Sequence, residues 1–114
     1  MRKESGFFAM DRPAPVVWRI ASEMVQRSDD GGATWTTVPI SDQVSFRAVV
    51  TVGSSLWAGG SGGALFHSRD SGAHWDRVAI DTTRTIVGIR AGDGGEVVVT
   101  TDDGRTWRLT NTPR

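Results

Sequence analysis

The chain contains no cysteine and no tyrosine. Without cysteine there is no disulfide framework, no thiolate nucleophile and no thiolate-held metal. The redox compartment is therefore not written in the sequence. Charge of one sign is also missing, since Lys plus Arg and Asp plus Glu each number 13. That balance removes the general attraction by which basic proteins hold nucleic acid or anionic membrane. No run is long and apolar enough to cross a bilayer. The apolar stretch near the basic start, Gly6-Phe7-Phe8-Ala9-Met10, is too short for a signal peptide. As given, the chain is expected to be soluble. Its compartment stays open, and an extracytoplasmic domain of a longer parent is one setting. Helical periodicity is absent too, and 14 glycines oppose long helices.

What is present is one domain's length and a repeat. The 114 residues are 38% hydrophobic, enough for a packed core. An eight-residue pattern occurs three times: Ser28-Asp29-Asp30-Gly31-Gly32-Ala33-Thr34-Trp35, Ser68-Arg69-Asp70-Ser71-Gly72-Ala73-His74-Trp75 and Thr100-Thr101-Asp102-Asp103-Gly104-Arg105-Thr106-Trp107. The shared form is Ser/Thr-x-Asp-x-Gly-x-x-Trp. Its key positions are Ser28, Asp30, Gly32 and Trp35; Ser68, Asp70, Gly72 and Trp75; and Thr100, Asp102, Gly104 and Trp107.

Each position has a structural task. The glycine takes a positive φ in a tight turn. The carboxylate and the hydroxyl accept backbone N–H groups of that turn. The tryptophan opens the next strand and packs over it. No position is left needing a catalytic role.

The repeat extends beyond the boxes. Trp18 precedes Trp35 by the same interval, to within one position, as Trp57 precedes Trp75. Phe7, Phe46 and Ile86 mark equivalent starts, and their two intervals also differ by a single position. The second unit reads as four strands: Phe46 to Val52, Ser55 to Gly59, Ala64 to Ser68 and His74 to Ile80. They are rich in Val, Phe, Trp and Ile and are separated by Gly, Ser and Asp. Four antiparallel strands in about 40 residues describe a β-propeller blade. The fold class expected is therefore all-β, with blade one over about 5–40, blade two over about 45–80 and an incomplete blade three over about 84–112.

Blade three is short. The stretch from Ile86 to Thr100 is shorter than that from Phe46 to Ser68 by the length of a strand and its turn. Either a strand is lost before the third box, or Glu96 to Thr100 is the second strand and the box turns into strand three. In the second reading Val97 follows Ile86 at the same spacing as Trp57 follows Phe46. That reading keeps the spacing of the first two strands and is preferred.

These units resemble Asp-boxes, or BNR repeats, found in sialidases, sortilin-type receptors and other propellers. The text around them, such as Val25-Gln26-Arg27-Ser28 and Leu56-Trp57-Ala58-Gly59-Gly60-Ser61-Gly62-Gly63-Ala64-Leu65-Phe66, is most similar to the photosystem II assembly and stability factor family and its bacterial relatives. The resemblance covers roughly residues 5 to 110. It implies a propeller and a non-enzymatic interaction or scaffold module, the C-terminal sensor-like part of a larger bacterial protein in some relatives. The photosynthetic members have more blades than this chain supplies, so a role in photosystem assembly is not carried over.

Enzymatic readings find no support. Sialidases use a tyrosine nucleophile, which this chain lacks. No carboxylate pair outside the boxes and turns stands out for acid–base hydrolysis. His67 reads as a surface residue and His74 as the box-two counterpart of Thr34. No metal-ligand spacing is present, and the full calcium-loop pattern is absent around Asp29-Asp30-Gly31. Gly59-Gly60-Ser61-Gly62-Gly63 lacks the Lys-Ser/Thr of a phosphate loop. No cofactor is expected. The alternative to a scaffold is a lectin-like propeller, which requires exposed tryptophans at equivalent positions. Arg47 and Arg90 lie on first strands, which line the channel of a propeller, and are the candidate contacts for an anionic ligand or acidic peptide. Since two and a part blades cannot close a ring, a homodimer with six blades is expected. Residues 1 to 15 of the partner are the candidate for the missing strand.

Overall fold

The computed structural model describes residues 15–110, which form ten strands and no α-helix. The strands make three antiparallel sheets in chain order. Sheet one holds β1 (Val17–Ala21), β2 (Met24–Ser28) and β3 (Thr36–Thr37). Sheet two holds β4 (Phe46–Val52), β5 (Ser55–Gly60), β6 (Leu65–Ser68) and β7 (Asp76–Arg77). Sheet three holds β8 (Ile86–Ala91), β9 (Glu96–Thr101) and β10 (Thr106–Thr110). The blade-one start expected at Phe7, and all but Pro15 of the segment expected to complete a partner's blade, fall outside the described residues.

The sheets stack face to face, because a single sheet cannot bury both of its faces. Val25, Phe46, Ala58, Ala64 and Phe66 form one core, with Trp18, Ile20 and Trp75 packed on it. Val52, Trp57, Leu65, Ile86, Val97 and Val99 form the other, with Trp107 and Leu109 packed on it. Sheet two lies between these cores, which is why every residue of β5 is buried.

The repeat is visible in the backbone. The Val38 N–H donates to the Val25 carbonyl at 2.9 Å, and one repeat later Val78 donates to Leu65 at 2.8 Å. β4 bulges between Phe46 and Ala48, and β8 between Ile86 and Gly88. The fourth strand of sheet two is shorter than expected, since only Asp76 and Arg77 pair with β6 in the ladder.

The irregular third unit has a definite arrangement. β9 pairs with β8 on one side and with β10 on the other. The third box therefore joins the second and third strands of its sheet, whereas the first two boxes precede a last strand. It takes the place of the β5–β6 turn. Ser61 N–H donates to the Ser45 carbonyl at 3.0 Å, and Asp102 N–H donates to the equivalent Thr85 carbonyl at 2.9 Å. The third box thus sits at the opposite sheet end from the other two. The ladder also shifts one equivalence. Val50 pairs with Trp57, and its counterpart Arg90 pairs with Val98, so Val98 rather than Val97 takes Trp57's place.

Candidate functional site

The sequence-derived candidates are the boxes, and their turns show what the residues do. In box one the buried Ser28 Oγ donates to Asp30 Oδ1 at 2.6 Å and accepts the Gly32 N–H at 2.8 Å. Asp30 Oδ1 then accepts the Thr34 N–H at 2.9 Å, and Oδ2 accepts the Thr34 hydroxyl at 2.5 Å. Box two repeats the circuit. Ser68 donates to Asp70 at 2.9 Å and accepts the Gly72 N–H at 2.8 Å. Asp70 accepts the His74 N–H at 2.8 Å, and its second oxygen lies 2.5 Å from His74 Nδ1. Gly32 and Gly72 take φ of 102° and 90°.

The third box requires a correction. Its circuit runs through Thr101 and Asp103, not Thr100 and Asp102. Thr101 Oγ1 donates to Asp103 Oδ1 at 2.6 Å, and Asp103 accepts the Arg105 N–H at 3.3 Å. Thr101 is 1% exposed, as are Ser28 and Ser68. Aligning on Gly104 and Trp107 selects Thr100 and Asp102. The turn instead has one residue fewer between its Asp and its Trp. Tandem threonines and tandem aspartates fit both registers, and only burial of the hydroxyl separates them. Asp102 is an exposed partner of Arg84 at 2.9 Å.

The donors around these carboxylates favour the charged form. The Ser28 hydroxyl, then Thr34, holds Asp30 well below the usual carboxylate range. The His74 side chain and then its N–H lower Asp70 to about 2. The Thr101 hydroxyl lowers Asp103. A carboxylate with a depressed folded-state pKa contributes stability above its unfolded value that is lost as pH falls through the folded one. For Asp70 that window runs from 3.8 down to about 2. Thermal unfolding followed by circular dichroism should show Asp70→Asn less stable than the parent at neutral pH. The two should converge as pH approaches about 2; a constant gap across that range would refute the assignment.

The remaining candidates are dispersed. His67 is half-buried rather than freely exposed: it stacks on Trp57 with ring centroids 4.2 Å apart, and burial lowers its pKa. Trp57 is 2% exposed, while Trp18 meets Trp75 edge-on at 6.1 Å. Arg19 covers the Trp35 ring and Arg105 covers Trp107. The tryptophans thus offer no matched set of open stacking faces, which the lectin reading requires. Arg47 lies in the β4 bulge and Arg90 in the β8 ladder, both exposed. One repeat apart, Arg47 corresponds to Val87 and Arg90 to Val50, so they are not equivalent positions. Among the described residues no group of three or more His, Asp or Glu is placed to hold a metal. No helix among them is long and apolar enough to cross a membrane.

One cleft escaped the sequence reading. It has about 260 Å³ and opens beside the β1–β2 turn, between that turn and the segment leading into β4. Its signal lies at Glu23, which stands where the next unit has Gly63.

No family profile matches the chain. It is 30% identical over 107 residues to the photosystem II assembly lipoprotein Ycf48 of Synechococcus sp. (strain CC9902), across 81% of this chain and 32% of that protein. The chain therefore spans about a third of the length of this curated relative. A solved structure described as YCF48 bound to D1 peptide superimposes with a TM-score of 0.71 over 90% of this chain and 37% of the other, at 20% identity. The fold is that of β-propeller blades.

Proposed function

We propose that this chain is a non-enzymatic propeller module that binds a segment of another protein. The observation that carries this reading is the likeness to a propeller solved with a peptide bound. The internal use of the box carboxylates supports it, because those acids already serve their own turns. Arg47 and Arg90 are proposed as contacts for acidic residues of the segment, each acting at its own position.

The chain is further proposed to work as an open arc rather than as half of a six-bladed ring. In sheet two the cross-strand row Val50, Trp57, His67 faces sheet three. In sheet three the corresponding row is Arg90, Val98, Arg108, with Arg108 paired to Glu96 at 2.9 Å. The outer face of sheet one carries Arg19, Gln26 and Thr37 joined by hydrogen bonds. Polar outer faces are what terminal units of a stacked fold carry.

A peptide array and a glycan array, probed with the same labelled chain, test the proposal. Peptides should bind, glycans should not, and Arg47→Ala/Arg90→Ala should lose the acidic subset. Light scattering of that sample should give the mass of one chain. Glycan binding without peptide binding would overturn the function, and a stable mass of two chains would overturn the open arc.

A further inference from the structure

The cleft beside the β1–β2 turn has a counterpart one repeat later that is closed. There, a Cβ built on Gly63 would lie 2.2 Å from the Thr82 carbonyl oxygen, so the turn and the following segment touch. In the first unit the equivalent residues are Glu23 and Asp42. Glu23 has a Cβ, and contact that close is denied to it. The same segment stands off and leaves the cleft open.

Glu23 is held in an unfavourable conformation. Ser22 and Glu23 both have positive φ, 52° and 64°, in a two-residue hairpin where Asn-Gly is the preferred pair. Its carbonyl accepts the Phe46 N–H at 2.9 Å, and its carboxylate accepts the Ser45 hydroxyl at 3.0 Å. The side chain is thereby fixed at the rim.

The lining defines the occupant. Val25, Val38, Ile40 and Phe46 supply an apolar wall, while Glu23 and Asp42 are acidic and no Lys or Arg lines the space. Among the described residues neither acid is in an ion pair. At about 260 Å³ the cleft lies below the roughly 300–1,000 Å³ of small-molecule pockets, and suits one or two side chains. We propose that it docks a peptide segment carrying a Lys or Arg beside an apolar residue. The apolar side chain enters against Phe46 and Val25, and the cation meets Glu23 and Asp42. This site rests on the protein-binding reading and assigns that reading a place and a charge preference.

Selection of a phage-displayed random dodecapeptide library on the full chain tests it. Enriched peptides should carry Lys or Arg next to an apolar residue. Synthetic copies should bind about tenfold more weakly to Glu23→Gln/Asp42→Asn, a change that keeps shape and removes both charges. Nuclear magnetic resonance titration should shift the amides of Met24, Val25 and Phe46. Unchanged spectra outside the cleft would show that the double variant is folded. If peptides are selected but bind the double variant equally, the cleft assignment is overturned while protein binding stands. If none is selected by the folded chain, both fall. A two-chain species that becomes one-chain in the double variant would make a second copy the occupant, and would likewise overturn the proposal.

Discussion

Gly63→Ala is expected to cost about 4 kcal/mol, a large fraction of the roughly 5–15 kcal/mol that holds a domain together. Two effects add. Gly63 has φ of 73°, where an L side chain costs about 1–2 kcal/mol. The new Cβ would also lie 2.2 Å from the Thr82 carbonyl oxygen, and that neighbour is backbone. The methyl group has no side chain to push aside, so residues around Thr82 must move. That segment leads directly into β8, whose Ile86 is fully buried in the core between sheets two and three. Overpacking of this kind costs about 1–3 kcal/mol by itself. At about 4–8 °C per kcal/mol, Tm should fall by roughly 15–30 °C. Gly62→Ala is the control: it shares the positive φ, at 69°, but its Cβ would meet nothing within 4 Å. It should lose only the conformational part. Equal losses at both positions would show that the contact with Thr82 does not matter.

Gly63 and its counterpart Glu23 also mark where sequence reasoning stops. Strand composition, turn glycines and the repeat interval are local properties, and they expose the sheets directly. The displaced third box is legible only as a preference, because the short interval from Ile86 fits either a lost strand or a moved box, and the pairing of β9 with both β8 and β10 decides between them. The box register is not legible. Thr100-Thr101-Asp102-Asp103 satisfies two alignments, and the choice depends on which hydroxyl the packed sheet buries. Arg90 meets a related limit. Its place on a first strand suggests a channel position, but the ladder aligns it with Val50, in the row that faces the next sheet. His67 reads as a surface residue because its stacking on Trp57 depends on cross-strand register. The cleft needs a different kind of evidence. Glu23 differs from Gly63 by a Cβ, and that difference acquires meaning only once the distance from Gly63 to Thr82 is known.

Trp57→Ala should be comparably damaging and should report on a second group. Trp57 is 2% exposed in the centre of the core shared by sheets two and three. Removing a buried aromatic side chain to Ala costs about 3–5 kcal/mol, through lost burial and the cavity left behind. Trp18, its repeat equivalent, is only half-buried, so Trp18→Ala should cost visibly less. The difference follows from the surroundings of the two rings. Trp57 is sandwiched between His67 and sheet three, whereas Trp18 meets Trp75 edge-on. His67 provides the independent readout. Its pKa is lowered chiefly by burial, and its Nε2 is buried without a hydrogen-bond partner. Loss of the indole admits water to that ring, so its pKa should rise toward the ordinary 6.5. Titration followed by the His67 ring protons, set against chemical denaturation of the same variant, separates the two effects. A large stability loss with an unmoved His67 pKa would mean that Trp57 supports the core without shielding the histidine. A small loss would mean that sheets two and three are held chiefly by Leu65, Ile86, Val97 and Val99.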